Sequence, residues 1–66
     1  MAQEKFITIP VFNDFKTVNV RNIALLEKDG TQSIVTLNIT DDDGKFIKFW
    51  SIQTFDQLNQ QIYLAK

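Results

Sequence analysis

Residues 33–51 read SIVTLNITDDDGKFIKFWS. Two runs rich in β-branched and aromatic residues flank an acidic cluster that ends in Gly44, the pattern of a β-hairpin. In the first run Val35, Leu37 and Ile39 share one face, with Ile34, Thr36 and Asn38 opposite. In the second, Phe46, Lys48 and Trp50 alternate with Lys45, Ile47 and Phe49. Neither face is polar enough to be left in water, so both need cover. A single helix covers only one of them.

That helix is expected to follow at once, over residues 51–65. Ser51 can cap it, with Trp50 and Phe55 at the staple positions; alternatively Thr54 caps it, with Gln57 completing a capping box. Phe55, Leu58, Ile62 and Ala65 form one apolar stripe, which Tyr63 and Leu64 widen. Asn59, Gln60 and Gln61 then face water. Asp56 in the first turn and Lys66 at the end both suit the helix dipole.

Working back from the hairpin, Asp29-Gly30 predicts a tight turn into it. Residues 22–29 are open to two readings. Ala-Leu-Leu-Glu-Lys favours helix, but the short span before Gly30 favours a strand, with Arg21-Asn22 as a bulge or corner. Val18 and Val20 alternate as a short strand, and Asn13-Asp14 supplies turn chemistry. In KFITIPVF (5–12), Ile7, Ile9 and Val11 share a face, with Phe6, Thr8 and Phe12 on the other. Pro10 has no N–H to donate, which puts this strand at an edge or Pro10 at a bulge. Residues 1–4 form a polar, flexible lead. The expectation is one α+β domain over 1–66: strands over 5–50 in a four- to five-stranded antiparallel sheet or small half-barrel, then one C-terminal helix.

Length and composition narrow the function. A chain of 66 residues buries little core, and with no cysteine it has no disulfide or thiolate metal site to compensate. Association with copies of itself or with a larger assembly answers that shortage. Seven Lys and Arg against eight Asp and Glu lack the basic excess of a free-standing nucleic-acid binder. No apolar run is long enough for a membrane span, and the N-terminus has no signal-peptide pattern. The expected location is therefore the cytoplasm of a host cell, or a particle assembled there.

Without His or Cys the commonest general base, metal ligand and thiol nucleophile are missing, so no enzymatic activity and no cofactor are expected. Asp41, Asp42 and Asp43 lack the spacing of a calcium loop and read as solvated turn residues. Lys45, Phe46, Lys48, Phe49 and Trp50 interleave cations with rings, as sheets that bind single strands do. In so small a chain those rings are better spent on the core, with the lysines snorkelling.

The opening Lys5-Phe6-Ile7-Thr8-Ile9-Pro10-Val11, with a short hydrophobic strand ending at Ile23, resembles a group of small phage proteins. These begin with a similar FITIPV stretch and end in a helix. The resemblance implies a viral origin and a virion role such as capsid decoration. Asp43-Gly44 and Ser51 to Leu58 are also similar in pacing to LytTR-type DNA-binding domains and FlbD-type small flagellar proteins. The chain is shorter than a full LytTR domain and lacks its basic balance, so DNA binding is not carried over.

The reading is thus a non-enzymatic structural or interaction protein that binds itself or another protein, as a homo-oligomer or in a virion lattice. Its candidate interface residues are Phe6, Pro10, Phe12, Phe46 and Trp50. The alternative is a small nucleic-acid-binding or regulatory module using Arg21, Lys45, Lys48 and Phe49.

Overall fold

The computed structural model describes residues 5–65. The lead 1–4 and Lys66, to which expectations were attached above, lie outside the described residues. The elements run β1 (Phe6–Val11), β2 (Asp14–Asn19), a 3₁₀ turn (Val20–Asn22), β3 (Ile23–Asp29), β4 (Gln32–Thr40), β5 (Phe46–Ser51) and α1 (Phe55–Ala65). This is the expected α+β fold. All pairings are antiparallel, but the strands divide into two sheets, β1-β2 and β3-β4-β5.

Pro10 explains the division. Its carbonyl accepts the Ser51 hydroxyl at 2.8 Å and the Ile52 N–H at 3.1 Å, so that side of β1 faces the end of β5. A strand residue points its N–H and C=O to the same side. The missing donor of Pro10 therefore falls on the β5 side, and pairing cannot extend along β1. The sheets are joined there by that carbonyl and otherwise by packing of their inner faces.

At the other junction the chain turns through Val20–Asn22, where the Asn19 side chain accepts the Arg21 N–H at 3.1 Å. Residues 23–29 are strand, which settles the two readings of that stretch, and the pairing with β4 shifts between Ile23 and Leu25. A two-residue turn, Gly30-Thr31, leads into β4 with φ +60° at Gly30. A positive φ at the first central position only is the type II′ pattern, which matches strand twist.

The inner faces and the helix enclose the core: Ile7, Ile9, Val20, Val35, Leu37, Phe49, Leu58 and Ile62. Ser33 and Ser51 stand opposite each other on β4 and β5, both fully buried. Ser33 donates to the Gln53 carbonyl at 3.0 Å, and Ser51 accepts the Gln53 N–H at 3.1 Å. Two hydroxyls thus hold the crossing from sheet to helix.

Four expectations are corrected. The helix begins at Phe55, not Ser51, because Ser51 is the last residue of β5 and spends its hydroxyl on Pro10 and Gln53. Thr54 and Gln57 form the capping box instead, each side chain accepting the other's N–H at 3.3 Å. Ile39 leaves the face of Val35 and Leu37 and is exposed, because residues 37–39 stand against Ile47 alone in an irregular stretch of the β4-β5 pairing. Tyr63 and Leu64 do not widen the buried stripe but point outward, and Gln61 does not simply face water: it donates to the Thr8 carbonyl at 3.1 Å.

Candidate interaction surface

Cross-strand register sorts the side chains of the three-stranded sheet. Val35 pairs with Leu26 and Phe49, and these face the helix side. The opposite face carries Leu25, Thr36 and Lys48 in one row and Glu27, Ile34 and Trp50 in the next. Leu25 is 51 % exposed, Trp50 49 % and Phe46 63 %. The Lys48 ammonium lies 5.9 Å from the Trp50 ring centroid, and the indole N–H donates to the Asp29 carboxylate at 3.0 Å. No element of the chain lies over this face among the described contacts. The helix packs against β1, β3 and β4 from the inner side.

The β1-β2 hairpin presents a second apolar face. Phe6 and Phe15 stand outward on it and Pro10 pairs with Phe15 across the strands, while Thr8 and Thr17 approach through their hydroxyls at 3.4 Å. Phe12 sits at the turn, 81 % exposed, beside Asn13 with φ 62°. The inner face of the same hairpin is spent on packing: Ile9 is fully buried, and the Lys16 ammonium lies 5.7 Å from the Phe49 ring centroid.

The five candidate interface residues therefore divide between two surfaces: Phe46 and Trp50 on the outer sheet face, and Phe6, Pro10 and Phe12 on the hairpin. Phe15 and Leu25 belong with them and were not singled out from sequence. Alternation alone places Phe15 with Thr17 against Lys16 and Val18, but only the buried partner shows which pair is inside.

The basic-aromatic residues come from three separate parts of the fold. Arg21 is in the 3₁₀ turn, Lys45 on the acidic loop and Lys48 on β5. Phe49, named above as a stacking ring, is only 8 % exposed and belongs to the core, so its face is not open to a base.

The acidic loop is organised by its own backbone. The Asp41 carboxylate accepts the N–H groups of Asp43 at 2.9 Å and Lys45 at 3.1 Å, and Gly44 turns the chain at φ 78°. Among the described residues no group of three or more acidic, His or Cys side chains is placed to hold a metal ion. A cleft between β3 and α1, lined by Val20, Ile23, Leu26, Asn59 and Ile62, has a volume of about 180 Å³. Sites for small molecules are usually about 300 Å³ or larger.

No family model, curated protein or solved structure matches this chain.

Proposed function

We propose that this protein acts by binding protein, as a non-enzymatic structural or interaction subunit. The observation that carries the reading is the outer face of β3-β4-β5, where Phe46, Trp50 and Leu25 stand exposed after the one helix has been spent on the inner face. Exposed rings gathered on one sheet face mark an interaction site more often than scattered apolar residues do. The two serines of the hairpin, Ser33 and Ser51, are fully buried and hydrogen-bonded to backbone, so neither hydroxyl is open to a substrate. No helix among the described residues is long and apolar enough to cross a membrane. A virion lattice, the role implied by the resemblance of residues 5–11 to phage proteins, is one form of this reading.

The nucleic-acid reading has the pair Lys48 and Trp50 in its favour, a cation beside an exposed ring. It lacks Phe49, and its cations sit on three separate elements.

A photo-crosslinking residue in place of Phe46, expressed in the source cell, tests the proposal. Irradiation is expected to give protein adducts whose partner mass spectrometry identifies. Adducts to nucleic acid alone, or none, overturn it.

A further inference from the structure

The edges of β1 and β5 meet at Pro10, which leaves β2 and β3 as the free edges of the fold. The two are not alike. On β2 the outward N–H of Phe15 is already taken, by the Asp14 carboxylate at 2.7 Å. On β3 the two-residue turn fixes which groups look outward. Asp29 and Gln32 close that turn as a hydrogen-bonded pair, so Asp29, Glu27 and Leu25 spend their backbone groups on β4. The N–H and C=O of Leu26 and Lys28 therefore point to the free side, and no hydrogen bond among the described residues reaches them.

Beside these groups lies the cleft between β3 and α1, walled by Val20, Ile23, Leu26, Asn59 and Ile62, with a volume of about 180 Å³. Apolar cavities of about 150 Å³ accept a benzene-sized group, so this one takes a single large apolar side chain. Unpaired backbone groups and a side-chain pocket on one strand are the two parts of a strand-addition site, the first giving affinity and the second specificity. We infer that the β3 edge binds an extended peptide of another protein as an added strand, with one apolar side chain in this cleft.

The register gives the peptide's chemistry. Leu26 and Lys28 share the inner side of β3, in line with Val35 and Ser33 on β4. In the antiparallel direction, the more stable pairing per residue, the peptide residue paired with Leu26 enters the cleft. The residue two places before it stands opposite Lys28, where an acidic side chain meets a cation. The ligand is thus an extended segment reading acidic, any residue, apolar. A second copy of this chain does not fit: its β3 brings Leu26, already packed against its own core, and its β2 edge is closed at Phe15. This site is independent of the outer face that carries the protein-binding reading, and the crosslink at position 46 tests that face alone.

Titration of isotope-labelled protein with the capped peptide Thr-Thr-Glu-Thr-Leu-Thr-Thr, followed by NMR, tests the site. Shifts are expected to concentrate on the amides of Leu26, Lys28, Asn59 and Ile62, with hydrogen exchange slowed at Leu26 and Lys28 and a Kd on the order of 100 μM. Alanine for the peptide's leucine should weaken binding about tenfold, and glutamine for its glutamate about two- to fivefold. N-methylation of the leucine removes the donor to the Leu26 carbonyl and should abolish binding. On the protein, Lys28→Pro deletes an outward N–H that the fold does not use and should lose the peptide, whereas Lys28→Ala should hold it within about fivefold. Circular dichroism checks both variants; if Lys28→Pro fails to fold, the N-methylated peptide still decides. Absence of shifts at millimolar peptide overturns the inference, as do shifts that centre on Phe46 and Trp50 or survive N-methylation. Binding indifferent to the loss of the leucine overturns the role of the cleft. Shifts of Leu26 and Lys28 with protein concentration alone assign the edge to a second copy and overturn the choice of partner.

Discussion

Trp50 on β5 donates its indole N–H to Asp29 on β3 at 3.0 Å, reaching across the full width of the three-stranded sheet over β4. The bond joins the first and last strands of the sheet on the face that no other element among the described residues covers. It also fixes the ring's orientation while leaving about half of it in water. Trp50 is the only tryptophan, so the indole fluorescence comes from this one ring. In Asp29→Ala the indole N–H turns to solvent, and the emission is expected to shift to the red. The cost in stability is about 0.5–1 kcal/mol, because the bond is exposed and its partners regain water when it breaks. Asp29→Asn keeps an acceptor and should hold the emission near that of the wild type. An unchanged spectrum in the alanine variant would mean the bond does not persist in solution.

Ser51 should matter more than its size suggests. Its hydroxyl donates to the Pro10 carbonyl and accepts the Gln53 N–H, so it ties β1 to β5 and both to the segment entering the helix. Ser51→Ala leaves the part-buried Gln53 N–H without its acceptor and weakens the junction between β1 and β5. The expected loss is about 1–3 kcal/mol. Ser33→Ala removes a single bond to the Gln53 carbonyl and should cost about 1 kcal/mol. Urea denaturation of both variants measures the difference. Equal losses would show that Ser51 contributes one bond and not two.

Gln53 itself carries a buried Oε1 with no hydrogen-bond partner. An unsatisfied buried polar atom costs about 1–3 kcal/mol, and an apolar side chain of similar shape removes that cost. Gln53→Met is expected to be neutral or to stabilise the fold by up to about 1 kcal/mol, read as a higher urea midpoint. A clear loss would assign the amide a partner in solution.

Much of this arrangement was legible in the residues, and the exceptions share one cause. Alternation in 33–37 and 46–51 gave the hairpin, Asp29-Gly30 gave its entry, and the i, i+3, i+7 series from Phe55 gave the buried helix face of Leu58 and Ile62. Each of these is a local signal. The helix start was ambiguous because Ser51 and Thr54 are both good caps, and the choice depends on Pro10, 41 residues away in sequence, taking the Ser51 hydroxyl. Ile39 was misplaced because the irregularity in β4 arises from pairing with Ile47, which no property of 33–40 announces. The outer sheet face was recognised as apolar, but the β3 residues that share its rows were not, because which of them lie beside Ile34 and Trp50 is a matter of register.

The helix start provides its own test. Thr54 and Gln57 satisfy each other's N–H groups, so Thr54→Ala should cost about 1 kcal/mol and Thr54→Ser much less. If the helix began at Ser51, position 54 would lie within its first turn, and alanine there would be neutral or favourable. Thermal melts followed at 222 nm distinguish the two.

Leu58 links stability to association. It is fully buried, and truncating such a leucine costs about 2–5 kcal/mol. A core this small rarely supplies more than about 3–5 kcal/mol in all, so Leu58→Ala is expected to be largely unfolded at micromolar concentration. If the extended peptide binds only the folded chain, mass action restores part of the loss: about 1.4 kcal/mol when the free peptide exceeds its dissociation constant tenfold. The melting temperature of Leu58→Ala should therefore rise with peptide concentration. Adding Lys28→Pro in the same chain should abolish that dependence. A melting temperature independent of peptide in the single variant would show that the fold draws no stability from an added strand.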